Sequence, residues 1–268
     1  MPWDLTGAIA IVTGVLGKLG SVWARGLLEA GAAVVGLDLL EAKVSDAFAE
    51  LADRYGSARL RVIRADITER ESLLQARERC LREVGGPGIL VNNAGIDQPP
   101  AVPPRTYRVE DIPPEALRSV FDVNVLGTFQ ATQVFGAEMV KAGKGSIINI
   151  GSLYATVAPD PRLYDHLPAD PPFLKPPAYG ASKAAVINLT KYFAVLWGPC
   201  GVRVNALSPG GVLGPQDPEF QEKYASRVPM RRMAASEDLV GPLVFLASDA
   251  SRYVTGINLQ VDGGFTAS

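Results

Sequence analysis

The sequence predicts an α/β fold in which a parallel sheet of about seven strands carries helices on both faces. Short apolar runs rich in β-branched residues alternate along the chain with longer segments of helical period. Parallel strands need a crossover between them, and a helix of this length provides one. This alternation is typical of a doubly wound, Rossmann-type sheet. The 268 residues include no linker-like segment, so we expect a single domain over residues 1–268.

Seven apolar runs are expected to form the strands, and the segments between them the helices. The strands are predicted at 8–13, 33–38, 59–66, 88–95, 145–152, 202–209 and 257–264. The helices are predicted at 18–30, 42–55, 69–84, 114–142, 178–197 and 236–247. Ligands of such a sheet bind beyond the carboxyl ends of the strands, so the residues that end each run are the candidates for function.

Two proline-rich segments, 96–115 and 153–178, interrupt this alternation. Proline presets an extended backbone and excludes a long helix, so both segments are predicted to be ordered loops over the site. For 153–178 the alternative is a surface insertion without a function.

The composition argues against several classes of protein. With 47% hydrophobic residues and a formal net charge of -2, the chain can bury a large core and has no bias toward nucleic acid. Its apolar runs are far shorter than the roughly 20 residues that cross a bilayer, and its N-terminus lacks the pattern of a secretory signal. Cys80 and Cys200 are not spaced as a disulfide framework, which favours a reducing cytoplasm. With one histidine, His166, neither a metal site nor a Ser-His-Asp hydrolase is expected.

The stretch TGVLGKLG at 13–20 lies between the first strand and the first helix and is a candidate phosphate-binding loop. A pyrophosphate at a helix N-terminus needs exposed backbone N–H groups, and glycine permits both a tight turn and a close approach. Gly14, Gly17 and Gly20 are placed for this role, although glycines also mark ordinary turns. Lys18 can meet the pyrophosphate or point to water, and we expect it to point to water.

Asp38 ends the second predicted strand, about 20 residues beyond the glycines. A carboxylate at this position can accept both hydroxyls of the adenosine ribose, and it repels a 2′-phosphate. No arginine follows Asp38 directly. The sequence therefore predicts NAD as the cofactor and disfavours NADP.

Ser152, Tyr179 and Lys183 form the candidate catalytic group. Tyr179 and Lys183 lie four residues apart on a predicted helix, so their side chains share one face. A phenol titrates near about pH 10 and needs a neighbouring cation to act as a general base, and Lys183 can supply that charge. Ser152 ends the fifth strand, where its hydroxyl can hold a substrate oxygen. Each of these residues, taken singly, also has an ordinary structural explanation.

Together these features resemble the short-chain dehydrogenase/reductase family, and the resemblance covers essentially the whole chain. It also rests on further motifs, which are Asp66 with Ile67, NNAG at 92–95, Asn124, RVNALSPG at 203–210 and VTGINLQVDGG at 254–264. The resemblance implies hydride transfer between a nicotinamide and a secondary alcohol or carbonyl.

The resemblance also implies a role for each residue. Tyr179 would exchange a proton with the substrate, and Ser152 would orient the substrate oxygen. Lys183 would lower the pKa of Tyr179 and bond the nicotinamide ribose. Asn124 would bend its helix and hold a water that links Lys183 to solvent. The implied cofactor contacts are Gly14, Gly17, Leu19, Asp38, Asp66, Ile67, Asn93, Ala94, Gly95, Tyr179, Lys183, Pro209, Gly210 and Val212.

Two positions depart from the family pattern. Lys18 stands where the family loop T-G-x-x-x-G-x-G has its middle glycine, and Gly17 comes one place early. After SPGG, family members often have a threonine that contacts the nicotinamide carboxamide, but Gly214 stands there. Backbone groups of 211–213 would have to take over this contact.

The loop at 153–178 starts beside Ser152 and returns beside Tyr179, so its ends are expected at the substrate mouth. This long loop also resembles the corresponding loop of family members that are associated with sugar and nucleotide-sugar metabolism. We therefore expect a sugar or polyol substrate; a 3-oxoacyl thioester reductase and a non-catalytic, NAD-sensing protein are the alternatives. The candidate substrate contacts are Tyr154, Asp160, Arg162, Tyr164, Asp165 and His166.

The helices predicted at 114–142 and 178–197 carry apolar residues on more than one face. Such helices are usually buried on both sides, and family members pair them across subunits. We expect a homotetramer built from dimers, or a homodimer.

Overall fold

The computed structural model describes residues 2–97 and 107–268. Within these ranges, the centre of the protein is a parallel sheet in the order β3-β2-β1-β4-β5-β6-β7. The change of direction between β1 and β4 confirms the predicted doubly wound sheet and places the ends of these two strands side by side. The strands are β1 Ile9–Thr13, β2 Ala33–Asp38, β3 Leu60–Arg64, β4 Ile89–Asn92, β5 Gly145–Ile150, β6 Val202–Pro209 and β7 Asn258–Val261.

Helices connect these strands and cover both faces of the sheet. They are α1 Lys18–Glu29, α2 Asp46–Arg59, α3 Arg70–Glu83, α4 Pro114–Phe121, α5 Thr128–Ala142, α6 Pro177–Trp197, α7 Pro218–Arg227 and α8 Val240–Ala247. Between α4 and α5 the chain forms a π-helical turn, Asp122–Gly127, that contains the predicted helix-bending Asn124. Helix α7 was not predicted, because its polar sequence buries little beyond Tyr224 and gives a weak apolar period. In the described part of the chain, no helix is both long and apolar enough to span a bilayer.

Two layers of apolar side chains attach the helices to the sheet. On one face, α1 and α8 contribute Trp23 and Leu243. On the other face, α3, α5 and α6 contribute Leu73, Phe135 and Phe193. These five side chains are buried, and each such burial contributes roughly 1.5–3 kcal/mol. The packed centre of the sheet therefore holds in place the residues that follow each strand.

The 153–178 loop is ordered and has an apolar cluster of its own. It contains two short 3-10 turns, and α6 follows from Pro177. Phe173 packs in one cluster with Tyr224 of α7 and Phe265 near the C-terminus. The loop is thus built as its prolines predict, without a long helix, and it is supported by α7.

Candidate active site

Hydrogen bonds join the ends of β1 and β4 at the start of the glycine loop. The Thr13 hydroxyl accepts from the backbone N–H groups of Asn93 and Ala94, each at 3.0 Å. The Asn93 side chain donates to the carbonyls of Thr13 and Gly14, both at 3.0 Å. It also accepts from the Trp23 indole at 2.8 Å. Asn93 therefore holds the loop in place through the carbonyl groups of the loop.

Close packing requires two of the three loop glycines. Gly14 has φ +64, and a Cβ there would lie 2.8 Å from Ala94 Cα. A Cβ on Gly20 would lie 2.1 Å from the Gly14 carbonyl oxygen. Gly17 precedes α1 with φ -72, and its Cβ would lie 3.3 Å from the same oxygen, so its steric requirement is weaker. Helix α1 thus begins in a close-packed turn of the kind that lets a phosphate approach the backbone.

Asp38, at the end of β2, turns its carboxylate toward the glycine loop. One oxygen accepts from Leu16 N–H at 2.8 Å, and the other accepts from Leu39 N–H at 2.9 Å. Arg64 is the register neighbour of Asp38 on β3, and it donates to the carbonyls of Leu39 and Ala42. The structure therefore places a cation, Arg64, near Asp38. The sequence did not indicate this neighbour, because Arg64 belongs to the next strand.

Lys18 is exposed, as expected, but its ammonium also bonds the protein backbone. Its ammonium donates to the carbonyls of Leu213 at 3.0 Å and Val212 at 3.4 Å, in the segment after β6. A Cβ on Gly214 would lie 2.4 Å from this ammonium, so the two departures from the family pattern meet in space. Partial desolvation lowers the pKa of Lys18, and the backbone carbonyls solvate the side of the ammonium that faces the protein.

The segment after Pro209 and Gly210 uses much of its own backbone internally. Gly211 N–H donates to the Tyr224 hydroxyl at 2.6 Å. Leu213 N–H donates to the Ala234 carbonyl at 2.9 Å. Of the three N–H groups predicted to hold a carboxamide, that of Val212 is therefore the remaining candidate.

The predicted catalytic side chains converge beyond the carboxyl end of β5. The Ser152 hydroxyl follows this strand and is close enough to the Tyr179 phenol to lower its pKa. The Lys183 ammonium lies 5.7 Å from the centre of the Tyr179 ring and donates to the Ile150 carbonyl at 2.8 Å. Tyr179 and Lys183 share one face of α6, as their spacing predicts.

Asn124 is fully buried beside this group, in the π-helical turn. Its carboxamide accepts from Ile96 N–H at 2.8 Å and donates to the Ile96 carbonyl and the Ser182 hydroxyl, at 3.1 and 3.0 Å. A Cβ on Gly95 would lie 3.0 Å from the Asn124 oxygen and 3.5 Å from the Lys183 ammonium. Asn124 therefore fastens the segment after β4 to α6, close to the catalytic lysine.

Burial governs the ionisation of the two catalytic side chains on α6. It raises the pKa of the Tyr179 phenol, the charge of Asp97 raises it further, and the hydrogen bond from Ser152 lowers it. Burial also lowers the pKa of Lys183 to about 8. Burial therefore sets the direction of the Tyr179 shift, and the lowering of the Tyr179 pKa by Lys183 stays a prediction.

Two residues outside the predicted set lie at the catalytic tyrosine. Lys175 donates to both carboxylate oxygens of Asp97, each at 2.9 Å. The Lys175 ammonium lies 5.3 Å from the ring centre of Tyr179 and 5.6 Å from that of Tyr154. Sequence reasoning missed both residues because they belong to two separate proline-rich segments. The sequence did contain a signal for this pair, because an acidic residue closely follows NNAG and a lysine shortly precedes Tyr179.

Asp66 and Ile67 follow β3, where the resemblance places the adenine. The Asp66 carboxylate accepts from the N–H and the hydroxyl of Thr68, at 2.8 and 2.7 Å. Ile67 is buried against the π-helical turn, where a Cβ on Gly127 would lie 2.5 Å from its terminal methyl group. These contacts are structural, and the adenine contact stays a prediction.

Of the candidate substrate contacts, Tyr154 lies at the catalytic centre. Its N–H donates to the Ser152 hydroxyl at 3.2 Å. Tyr154 packs against the apolar cluster under the loop, of which Tyr164 is a buried member. Burial raises the pKa of Tyr164 to about 12. Tyr164 therefore supports the loop from beneath.

Except for Arg162, the charged candidates of the loop contact α7. Asp160 binds Arg162 within the loop and Arg227 on α7. His166 lies 3.2 Å from the Lys223 ammonium, through Nδ1. These contacts fasten the loop to α7, so a role in substrate binding for Asp160, Arg162 and His166 stays a prediction.

Comparison with known sequences reveals similarity over nearly the whole chain. A family profile described as enoyl-(acyl carrier protein) reductase matches residues 14–266. A galactitol 2-dehydrogenase (L-tagatose-forming) of Cereibacter sphaeroides is 35% identical over 268 residues, which cover 98% of this chain and 96% of the relative. A D-threitol dehydrogenase of Mycolicibacterium smegmatis is 31% identical over 271 residues, with 98% and 94% covered.

Solved structures share the fold. A gluconate 5-dehydrogenase from Burkholderia cenocepacia J2315, in complex with NADP and tartrate, has a TM-score of 0.84 at 32% identity and covers 100% of this chain and 98% of its own. A short chain dehydrogenase from Leptospira borgpetersenii with bound NAD+ has a TM-score of 0.84 at 34% identity and covers 98% and 94%. The two structures thus hold different forms of the nicotinamide cofactor.

Proposed function

Because the chain belongs to the short-chain dehydrogenase/reductase family, we propose that its substrate is a sugar alcohol or related polyol and that its cofactor is NAD. The chain is an oxidoreductase that acts on CH–OH groups with a nicotinamide cofactor. One observation carries the assignment to this site: Ser152, Tyr179 and Lys183 converge beyond the edge of the sheet at which the glycine loop lies.

Each residue has a chemical task in this proposal. The nicotinamide, when bound, accepts a hydride from the carbon that carries the reacting hydroxyl. Ser152 holds the substrate oxygen by a hydrogen bond, and Tyr179 takes the hydroxyl proton. Lys183 places a positive charge beside the phenol, which favours the deprotonated tyrosine. Asn124 holds the segment after β4 that borders this group.

The residues around the glycine loop fit a dinucleotide. Gly14 and Gly20 keep side chains out of the turn, and the first N–H groups of α1 have no partner within the helix. Asp38 favours NAD, because its carboxylate can accept ribose hydroxyls and repels a 2′-phosphate. Arg64 favours NADP as the second candidate, since a guanidinium near the ribose can bind that phosphate.

The cofactor proposal is tested with Asp38→Asn, which keeps an acceptor for Leu16 N–H and removes the negative charge. We expect the ratio of kcat/KM with NAD to kcat/KM with NADP to fall about tenfold or more, because the repulsion of the 2′-phosphate is lost. Asp53→Asn makes the same change on an exposed position of α2 and should leave the ratio unchanged. A wild-type preference for NADP would contradict the proposal.

The substrate proposal is tested with a panel that contains galactitol, D-threitol and a 3-oxoacyl thioester. We expect NAD-dependent oxidation of at least one polyol, because the chain is similar to galactitol and D-threitol dehydrogenases. Reduction of the thioester with NADPH, without turnover of any polyol, would favour the acyl reductase instead.

Tyr179→Phe tests the assignment of the proton acceptor. We expect kcat to fall about 10²–10⁴-fold, since a phenyl ring cannot take a proton, while NADH still binds. Tyr253→Phe is the control, because this tyrosine is fully exposed. Unchanged polyol oxidation by Tyr179→Phe would move the base to another residue.

A homotetramer built from dimers is proposed for the assembly. Helix α6 turns Val186 and Phe193 to the core and leaves Tyr192, Val195 and Leu196 exposed at 60%, 81% and 50%. Apolar side chains grouped on an exposed helix face are typical of an interface between subunits.

A reducing cytoplasm is the proposed location, where the two free cysteines stay reduced.

A further inference from the structure

The ion pair between Asp97 and Lys175 is a feature of the site that the proposed mechanism does not use. It joins the segment after β4 to the end of the 153–178 loop, directly before α6. The Lys175 side chain is 6% exposed, whereas the Asp97 side chain is 36% exposed. The cation is therefore buried against its neighbours, and the carboxylate remains accessible.

The pair lies close to the position at which Tyr179 would hold the reacting oxygen. The Lys175 ammonium is 5.3 Å from the Tyr179 ring centre and 5.6 Å from the Tyr154 ring centre. Burial raises the pKa of Tyr179 and lowers that of Lys183, and the charge of Asp97 acts on both pKa values in the upward direction. A substrate bound at Tyr179 can therefore bring its neighbouring carbons to the pair.

The two side chains offer donors and acceptors without a net charge. The Lys175 ammonium has three N–H groups, and it makes two hydrogen bonds to Asp97. Each carboxylate oxygen has a second acceptor position besides the one that Lys175 uses. A hydroxyl both donates and accepts, so neighbouring hydroxyls can bind the pair without breaking it. A substrate carboxylate has no proton to donate to Asp97, and a pair without net charge does not attract it.

We propose that Asp97 and Lys175 select neutral polyols over sugar acids by binding the hydroxyls next to the reacting carbon. The inference rests on the proposed function and narrows it, because the same chemistry at Tyr179 serves both kinds of substrate. Asp97 accepts hydrogen bonds from the substrate, and Lys175 positions the carboxylate and cancels its charge.

The experiment compares galactitol with galactonate, which share a carbon chain and differ in one terminal carboxylate. For the wild type we expect a higher kcat/KM with galactitol. Asp97→Asn keeps the size of the side chain and leaves Lys175 as an uncompensated cation. We expect the galactitol-to-galactonate ratio of kcat/KM to fall about tenfold or more, mainly through KM, because the cation now attracts the acid.

Lys175→Gln makes the opposite change, since it leaves Asp97 as an uncompensated anion. We expect this variant to lose more activity with galactonate than with galactitol, so that the ratio rises. Glu115→Gln is the matched control: it removes one charge from the exposed ion pair with Arg118 and should keep the wild-type ratio. NADH binding and the unfolding temperature are measured for every variant. If Asp97→Asn fails to fold, the change of the ratio in Lys175→Gln is the test of the proposal.

The outcomes separate this inference from the proposed function. If the wild type oxidises galactitol and both variants keep the wild-type ratio, the selection of neutral substrates is overturned and the proposed function stands. A wild type that oxidises galactitol but has a higher kcat/KM with galactonate would also overturn the selection and leave the proposed function standing. If the wild type oxidises no polyol of the panel, the proposed function itself fails.

Discussion

Lys183 is the residue at which function and stability oppose each other. Its side chain is buried, and its ammonium donates to the Ile150 carbonyl. Burial lowers the pKa of Lys183 from 10.5 to about 8, so the fold disfavours the charge that the chemistry at Tyr179 uses. Groups with perturbed pKa values of this kind concentrate at functional sites.

Lys183→Met should therefore stabilise the protein and remove most of its activity. Between pH 8 and 10.5 the unfolded chain holds a proton on Lys183 that the folded protein has lost, so this group makes the free energy of unfolding rise with pH there. At pH 7 we expect the variant to gain roughly 1–2 kcal/mol over the wild type, a difference that shrinks toward pH 10.

Urea unfolding at pH 7 and pH 10 measures this difference in stability. Polyol oxidation by Lys183→Met should fall about 10²-fold or more. A variant less stable than the wild type at pH 7 would show that the hydrogen bond to Ile150 outweighs the cost of the buried charge.

At the scale of elements, α1 and the segment after β6 are joined by two residues that depart together from the family pattern. The Lys18 ammonium bonds the Leu213 carbonyl at 3.0 Å. Gly214 provides the space, because a Cβ there would lie 2.4 Å from the ammonium. A threonine at 214 would displace the end of the lysine side chain. The residues at 18 and 214 therefore depend on each other.

Lys18→Ala and Gly214→Ala should each weaken NADH binding, by roughly threefold to tenfold, since each removes the contact between the glycine loop and the segment after β6. The double variant should bind no more weakly than either single variant, because the Cβ of Gly214→Ala already displaces Lys18. Fluorescence titration with NADH measures the affinities. Lys144→Ala, at the opposite end of the sheet, is the control, and additive losses in the double variant would rule out the coupling.

At the scale of the whole molecule, the helix that carries Tyr179 and Lys183 also presents an apolar face to the outside. Its exposed members are Tyr192, Val195 and Leu196. A second subunit on this face would bury α6 on both sides and hold the catalytic helix more firmly. The oligomeric state and the catalytic site would then share one element.

Val195→Glu should reduce the assembly to monomers or to the dimer that does not use α6, because a charge would be buried at the interface. Light scattering at micromolar concentration measures the mass. Val195 is 81% exposed in the single chain, so the fold should tolerate the change within about 0.5 kcal/mol. Val44→Glu, also exposed, is the control. A wild-type monomer would contradict the assembly, and an unchanged mass for Val195→Glu would contradict this interface.

Much of the fold and part of the site follow from local spacing in the chain. Alternating runs predict the doubly wound sheet, and the four-residue spacing places Tyr179 and Lys183 on one helix face, because backbone geometry sets both periods. The position of Ser152 at a strand end also predicts its place at the sheet edge. Helix α7 escaped prediction, since a mostly polar helix gives little periodic signal.

Other contacts depend on packing between distant segments. Arg64 lies beside Asp38 because β3 pairs with β2, and the ammonium of Lys175 meets Asp97 at the end of two different loops. Spacing along the chain does not say which side chains meet when parallel strands bring their ends to one edge. That choice is made by the register of the sheet and by the burial of the charges, which exist only once the chain is folded.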